Sequence, residues 1–197
     1  MNSFNLSGSV HKRYYDGNYT YELYNHEGKL MIDIRSIHPD ITKAKPIQLT
    51  VPPTVDYCIN LRKCFHNHTS LQDISELIYF DASHVINMEE MFYRCSRLTN
   101  VDALASWDTS NVTTMTGIFY GCWSLKDLTA LSNWTVKEDC EVLSFYNNAF
   151  IVHPMEVLPR KNIINHLGKH GAINQKLNKR FPQWLIARHE RSRLRVN

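Results

Sequence analysis

The sequence predicts an α/β repeat fold: a short solenoid with an N-terminal β cap and a C-terminal helical cap. Three observations lead there. First, one apolar ladder recurs every 27 residues, as Phe80, Trp107 and Trp134 show. The same step joins Leu61, Met88 and Met115, then Phe65, Phe92 and Phe119, then Leu71, Leu98 and Leu125. It also joins Ile74, Val101 and Leu128, then Leu77, Leu104 and Leu131, and a partial further copy keeps Val142 and Tyr146. Repeats of this length bury their apolar faces against their neighbours. Second, the segment before the ladder alternates like paired strands. Third, the segment after it turns proline-punctuated and basic.

Residues 1–53 form the expected β-hairpin cap. Tyr19 to Tyr24 and Leu30 to Ile34 alternate apolar with polar, the period of a half-buried strand. Asn25-His26-Glu27-Gly28 connects them, with a glycine free to take positive φ. Phe4 to Tyr15 supplies a further strand before the Asp16-Gly17 turn. Such a cap hides the open end of a repeat stack. Pro52-Pro53 marks the boundary.

Residues 54–150 are the repeats. Leu98 to Asp102 and Leu125 to Thr129 read as short strands. Asn87 to Cys95 and Thr114 to Cys122 read as short helices or 3₁₀ turns, with Met88, Met91, Phe92 and Cys95 on one face and Met115, Ile118, Phe119 and Cys122 repeating them. Asp81 and Asp108 each stand two residues before a serine, the pattern of a side-chain-capped turn.

The stretch from Trp107-Asp108-Thr109-Ser110-Asn111-Val112 through Met115, Ile118-Phe119, Cys122 and Leu125 resembles the BspA-like leucine-rich repeat family. Asp81, Ser83, Val85, Met88, Met91-Phe92, Cys95 and Leu98 repeat the signature one unit earlier. The resemblance covers about half the chain. It implies a short, curved leucine-rich-repeat solenoid used for adhesion or protein recognition, commonly on bacterial or parasite surfaces.

Residues 151–197 read as a basic helical cap. Pro154 and Pro159 precede helical segments near Asn162–His170 and Ile173–Arg180, and Pro182 opens a last one. From Glu156 onward ten basic residues face two acidic ones, a net +8, while the whole chain carries only +3. The remainder is therefore acidic, and the asymmetry suggests a charged partner. Arg188, Arg191, Arg193 and Arg195 are the residues that would meet nucleic acid or another acidic partner.

Chemistry is sparse. His66-Asn67-His68 spells a nuclease label, but the repeat places His68 where Cys95 and Cys122 stand, pointing inward. His166 and His170 share a helical spacing without the glutamate of a zinc protease. No nucleophile elbow or phosphate loop is present, so no enzyme activity, cofactor or metal is expected. The five cysteines lack close metal-type pairing and read as small buried residues. No apolar run reaches the roughly 18 residues of a membrane span. Met1 to Ser9 lacks the pattern of a secretory signal, and a cytoplasmic location is expected.

The function expected is a non-enzymatic protein–protein interaction module: an inhibitor, an adaptor or a host-interacting effector. Its contact residues are the variable ones between ladder positions, Glu89, Glu90, Arg94 and Arg97 on one side and Asn100, Asp102, Lys126 and Asp127 on a strand face. Nucleic-acid binding through the basic tail and a surface-adhesin role are the alternatives.

Overall fold

The computed structural model describes residues 11–147. Its regular elements are strands β1 (Lys12–Tyr15), β2 (Tyr19–His26), β3 (Lys29–Ser36), β4 (Tyr57–Asn60), β5 (Val85–Asn87), β6 (Phe119–Tyr120) and β7 (Tyr146–Asn147). Three 3₁₀ turns, Ser75–Tyr79, Asp102–Leu104 and Thr129–Asn133, complete them.

The β2–β3 hairpin follows from its sequence. Glu27 and Gly28 both take positive φ, the geometry that matches a two-residue connection to the twist of the strands. The Asn25 side chain accepts the Gly28 N–H at 3.1 Å. Inward residues Tyr19, Tyr21 and Leu23 of β2 and Leu30, Ile32 and Ile34 of β3 are buried. β1 pairs antiparallel outside β2.

β3 then pairs in parallel with β4, Leu30 opposite Tyr57 and Asp33 opposite Asn60. These partners are 27 residues apart, so the hairpin's second strand stands in the stack as if it belonged to a preceding unit. β4 pairs in parallel with β5, giving one open mixed sheet in the order β1-β2-β3-β4-β5. Hairpin and repeats share a single core.

An α/β repeat solenoid is not what forms. Among the described residues there is no α-helix and no helical cap, and the architecture is mostly sheet, continued by stacked turns. The backbone gives the reason. In the segments expected to be short helices or 3₁₀ turns, Glu90, Arg94, Gly117 and Gly121 all adopt left-handed φ, which a right-handed helix does not accommodate. Lys63, Asn67 and Ser144 occupy corresponding places with the same sign of φ.

The N–H groups there alternate between two destinations. Those of Met91, Tyr93 and Cys95 close turns on residues three back. Those of Met88, Glu90, Phe92 and Arg94 cross to the carbonyls of Thr114, Thr116, Ile118 and Tyr120 in the following unit. Every second backbone donor thus binds the neighbouring unit, and none is left for a helix. The strands expected at Leu98–Asp102 and Leu125–Thr129 are likewise replaced, by irregular chain leading into 3₁₀ turns. The expected cap over 151–197, with its helical segments, His166 and His170, lies outside the described residues.

The ladder itself is core. Phe65, Phe92 and Phe119 stack with centroid separations of 5.3 and 5.6 Å. Cys95 and Cys122 donate their thiols to the Phe65 and Phe92 carbonyls at 3.1 and 3.0 Å. Burial pushes the Cys64 and Cys122 thiols up to about 12, so they stay neutral and act as small packing groups. The Trp107 and Trp134 indoles donate to the carbonyls of Leu77 and Leu104 at 3.0 and 2.8 Å. Each unit is thereby tied to the one before it by side chains as well as backbone.

Candidate functional site

The run of turns brings one face of successive units together. Arg62 reaches Glu89 (Nε to Oε2, 2.9 Å), and Lys63 reaches Glu90 at 3.3 Å. His66 approaches Glu90 at 3.4 Å. Both glutamates expected to contact a partner are therefore half-buried and engaged within the chain. Pairs this exposed are worth at most about 1 kcal/mol each, so they order the surface more than they stabilise it.

Beside them runs an aromatic column. His66 stacks on Tyr93 at 4.8 Å, and Tyr93 on Tyr120 at 5.1 Å, with rings within a few degrees of parallel. All three are half-exposed. The Arg94 guanidinium lies over Tyr93, 5.5 Å from its centroid, within the range of a cation–π contact. Burial holds the His66 imidazole below its usual pKa despite the nearby Glu90 carboxylate. It is the neutral ring that stacks at pH 7. Trp123, 46 % exposed, follows Tyr120 by three residues.

The other expected group, Asn100, Asp102, Lys126 and Asp127, is exposed but does not form a strand face. Two of its members build turns. Asp127 accepts the Thr129 N–H at 2.7 Å and its hydroxyl at 2.6 Å, and Asn100 accepts the Asp102 N–H at 3.4 Å. Asp73 does the same for Ser75 at 2.7 Å, and Asp81 and Asp108 do so for Ser83 and Ser110, each at 2.9 Å. Those backbone N–H groups hold the Asp73 and Asp81 carboxyls below the usual carboxylate range. The expected capped turns at Asp81 and Asp108 are present, and the same chemistry recurs at a second corner.

The structure therefore does not unite the eight residues. Glu89, Glu90 and Arg94 share the turn face, and Arg97 is exposed just before the buried Leu98. Asn100, Asp102, Lys126 and Asp127 lie beyond that residue at the next corner. Asp127→Ala should cost about 1 kcal/mol, the scale of a lost side-chain cap, read as a lowered urea midpoint. No loss would mean that the turn closes without its carboxylate. His66, Tyr93 and Tyr120 share one repeat position in the sequence, but neither they nor Lys63 are among the contact residues expected from it. Arg188, Arg191, Arg193 and Arg195 lie outside the described residues.

His66 and His68 are one turn apart but point differently, His66 onto Tyr93 and His68 into the core. Among the described residues no group of three or more His, Cys, Asp or Glu side chains is placed to hold a metal ion. No helix among them is long and apolar enough to cross a membrane.

Residues 53–155 match the family described as "Mycoplasma protein of unknown function, DUF285". The chain belongs to that family. No curated protein and no solved structure gives a significant match. The DUF285 region takes in β4, β5, the three 3₁₀ turns and the whole aromatic column, while β1, β2 and β3 precede it.

Proposed function

We propose that this DUF285 member is a non-enzymatic protein-recognition module, an inhibitor, adaptor or host-interacting effector, that binds its partner through the turn face. The His66–Tyr93–Tyr120 column carries the reading. Tyrosine and arginine are enriched where protein interfaces concentrate their binding energy. Rings already held against one another lose little further freedom when a partner arrives. The ion pairs from Arg62 to Glu89 and from Lys63 to Glu90 give the column a polar rim. The resemblance of the Trp107–Leu125 signature to BspA-like repeats, whose relatives serve adhesion and recognition, supports the same class of function.

The test compares partner capture by the full chain and by Tyr93→Ala and Arg94→Glu variants, read by mass spectrometry with a nuclease-treated control. Circular dichroism checks that each variant folds. A nuclease-resistant protein partner should be retained by the parent and bound about thirtyfold more weakly by Tyr93→Ala, the roughly 2 kcal/mol of an interface hot spot. Equal retention by folded Tyr93→Ala and Arg94→Glu would remove this face as the binding surface. Loss of all capture on nuclease treatment would transfer the reading to nucleic acid.

A further inference from the structure

Cys95 and Cys122 fill their repeat position with a neutral thiol, but the first unit fills it with His68. This imidazole is only 4 % exposed. It stands where the hairpin meets the repeats. Its Nδ1 lies 3.2 Å from the His66 carbonyl, which can only accept, so Nδ1 carries the proton. Nε2 is then the acceptor, and it faces the Ser36 hydroxyl at 2.9 Å. Ser36 is the last residue of β3, and its backbone N–H donates to the Cys64 carbonyl at 2.9 Å. Phe65 packs edge-on against His68 at 5.6 Å, and Tyr19 of β2 packs edge-on against Phe65 at 6.0 Å. Beside the β3–β4 pairing and the shared core, the end of the hairpin is thus fastened to the first unit by one buried, neutral imidazole.

We propose that His68 is an acid-sensitive latch, whose protonation loosens the β2–β3 hairpin from the first repeat while the later units stay stacked. A charge on this ring must be carried in a site built for a neutral one, and Nε2 would then be a donor facing a hydroxyl that now donates to it. The Ser36 hydroxyl can turn to accept, so the hydrogen bond survives, but burial of the charge remains unfavourable. The ionisable groups around the ring do not reverse this. Desolvation is the largest influence on the ring and disfavours its charge; the His66 and Phe65 backbone and, less strongly, Asp40 in the segment after β3 favour the cation without outweighing it, and the His66 ring on the same turn opposes it. Cys95 of the following unit is held neutral by its own burial and offers no counter-charge.

The sign follows. The folded ring binds protons less readily than a free imidazole, so the latch is complete above about pH 6.5 and weakens as pH falls below it. The later units carry cysteines at this position and have no such response.

Hydrogen exchange of the full chain, corrected for the intrinsic pH dependence of amide exchange, tests this at pH 7.5 and pH 5.0. Opening of β2 and β3 amides should rise by up to about thirtyfold at the lower pH, the ceiling set by protonating a freed imidazole. Amides of Met88, Phe92 and Arg94, which cross to the following unit, should change far less. His68→Cys, which copies the later units, should abolish the difference. Equal acid response of hairpin and later units, or an undiminished hairpin response in folded His68→Cys, would overturn the proposal. So would an NMR titration of the parent protein in which the His68 ring ionises at or above the midpoint of a free imidazole, a readout that needs no variant.

Discussion

Phe92→Ala should lower stability by about 3–5 kcal/mol, the cost of truncating a fully buried aromatic side chain. Phe92 is the middle ring of the Phe65–Phe92–Phe119 column and is covered on both faces. Removing it leaves two rings facing a void rather than each other. Small domains have a total stability of about 5–15 kcal/mol, so the loss takes a large share of what holds the chain folded. Urea unfolding checks it through a fall in midpoint at nearly constant slope. Phe92→Leu, which keeps most of the volume, should cost clearly less. If alanine and leucine cost the same, filled volume is not what counts in the column, and the stacked ring itself is what holds consecutive units together.

Gly121→Val should cost about 2–4 kcal/mol, through two separate effects. Gly121 has φ +75°, a region that a β-branched residue adopts only at a penalty of roughly 1–2 kcal/mol. A Cβ there would also come within 3.0 Å of Arg94 Cγ and 3.3 Å of Arg94 Cα. The side-chain carbon can move, but the backbone atom cannot move without disturbing the bond from Arg94 N–H to the Tyr120 carbonyl. Gly117→Ala is the comparison. Its nearest neighbour would be Glu90 Cγ at 3.3 Å, the flexible part of a side chain, so about 1 kcal/mol is expected. Thermal unfolding should order the variants accordingly. Equal losses would mean that the close approach of the two turns sets no limit.

The same positions show why the sequence leaves a short helix and a turn equally open. Met88, Met91, Phe92 and Cys95 have the spacing of one helical face, and all four are buried as that spacing requires. A series of tight turns with a left-handed residue in each gives the same inward pattern, because side-chain direction repeats over three or four residues in both. The positive φ values of Glu90 and Arg94, and the N–H groups that cross to the following unit, separate the two. Glutamate and arginine give no local signal of that conformation, whereas Gly117 and Gly121 in the next unit do. Those glycines, one repeat on from Glu90 and Arg94, are the mark that the turns leave in the sequence.

The proposed contact surface is half legible in the sequence. Glu89, Glu90 and Arg94 lie on one face, as the repeat register implied, but their charges are engaged by Arg62, Lys63 and the Tyr93 ring. Asn100 and Asp127 read as variable exposed residues, yet both close turns. A short polar side chain ahead of a 3₁₀ turn serves the backbone first, and the sequence carried that signal at Asp73 and Asp127 as clearly as at Asp81.

The sequence by itself determined which side chains are buried and at what interval. A 27-residue step repeated in six apolar columns leaves one way to hide them all, which is to place equivalent residues above one another. The β2–β3 hairpin was equally readable, because its signals lie within a few residues. Tertiary structure decided the backbone between those points. The partners of alternate N–H groups are supplied by a neighbouring unit some 26 residues away, and β3 enters the sheet by pairing with β4 across a long connection. Local propensity has no access to a donor's distant partner. Here those partners select stacked turns and an open mixed sheet over helices.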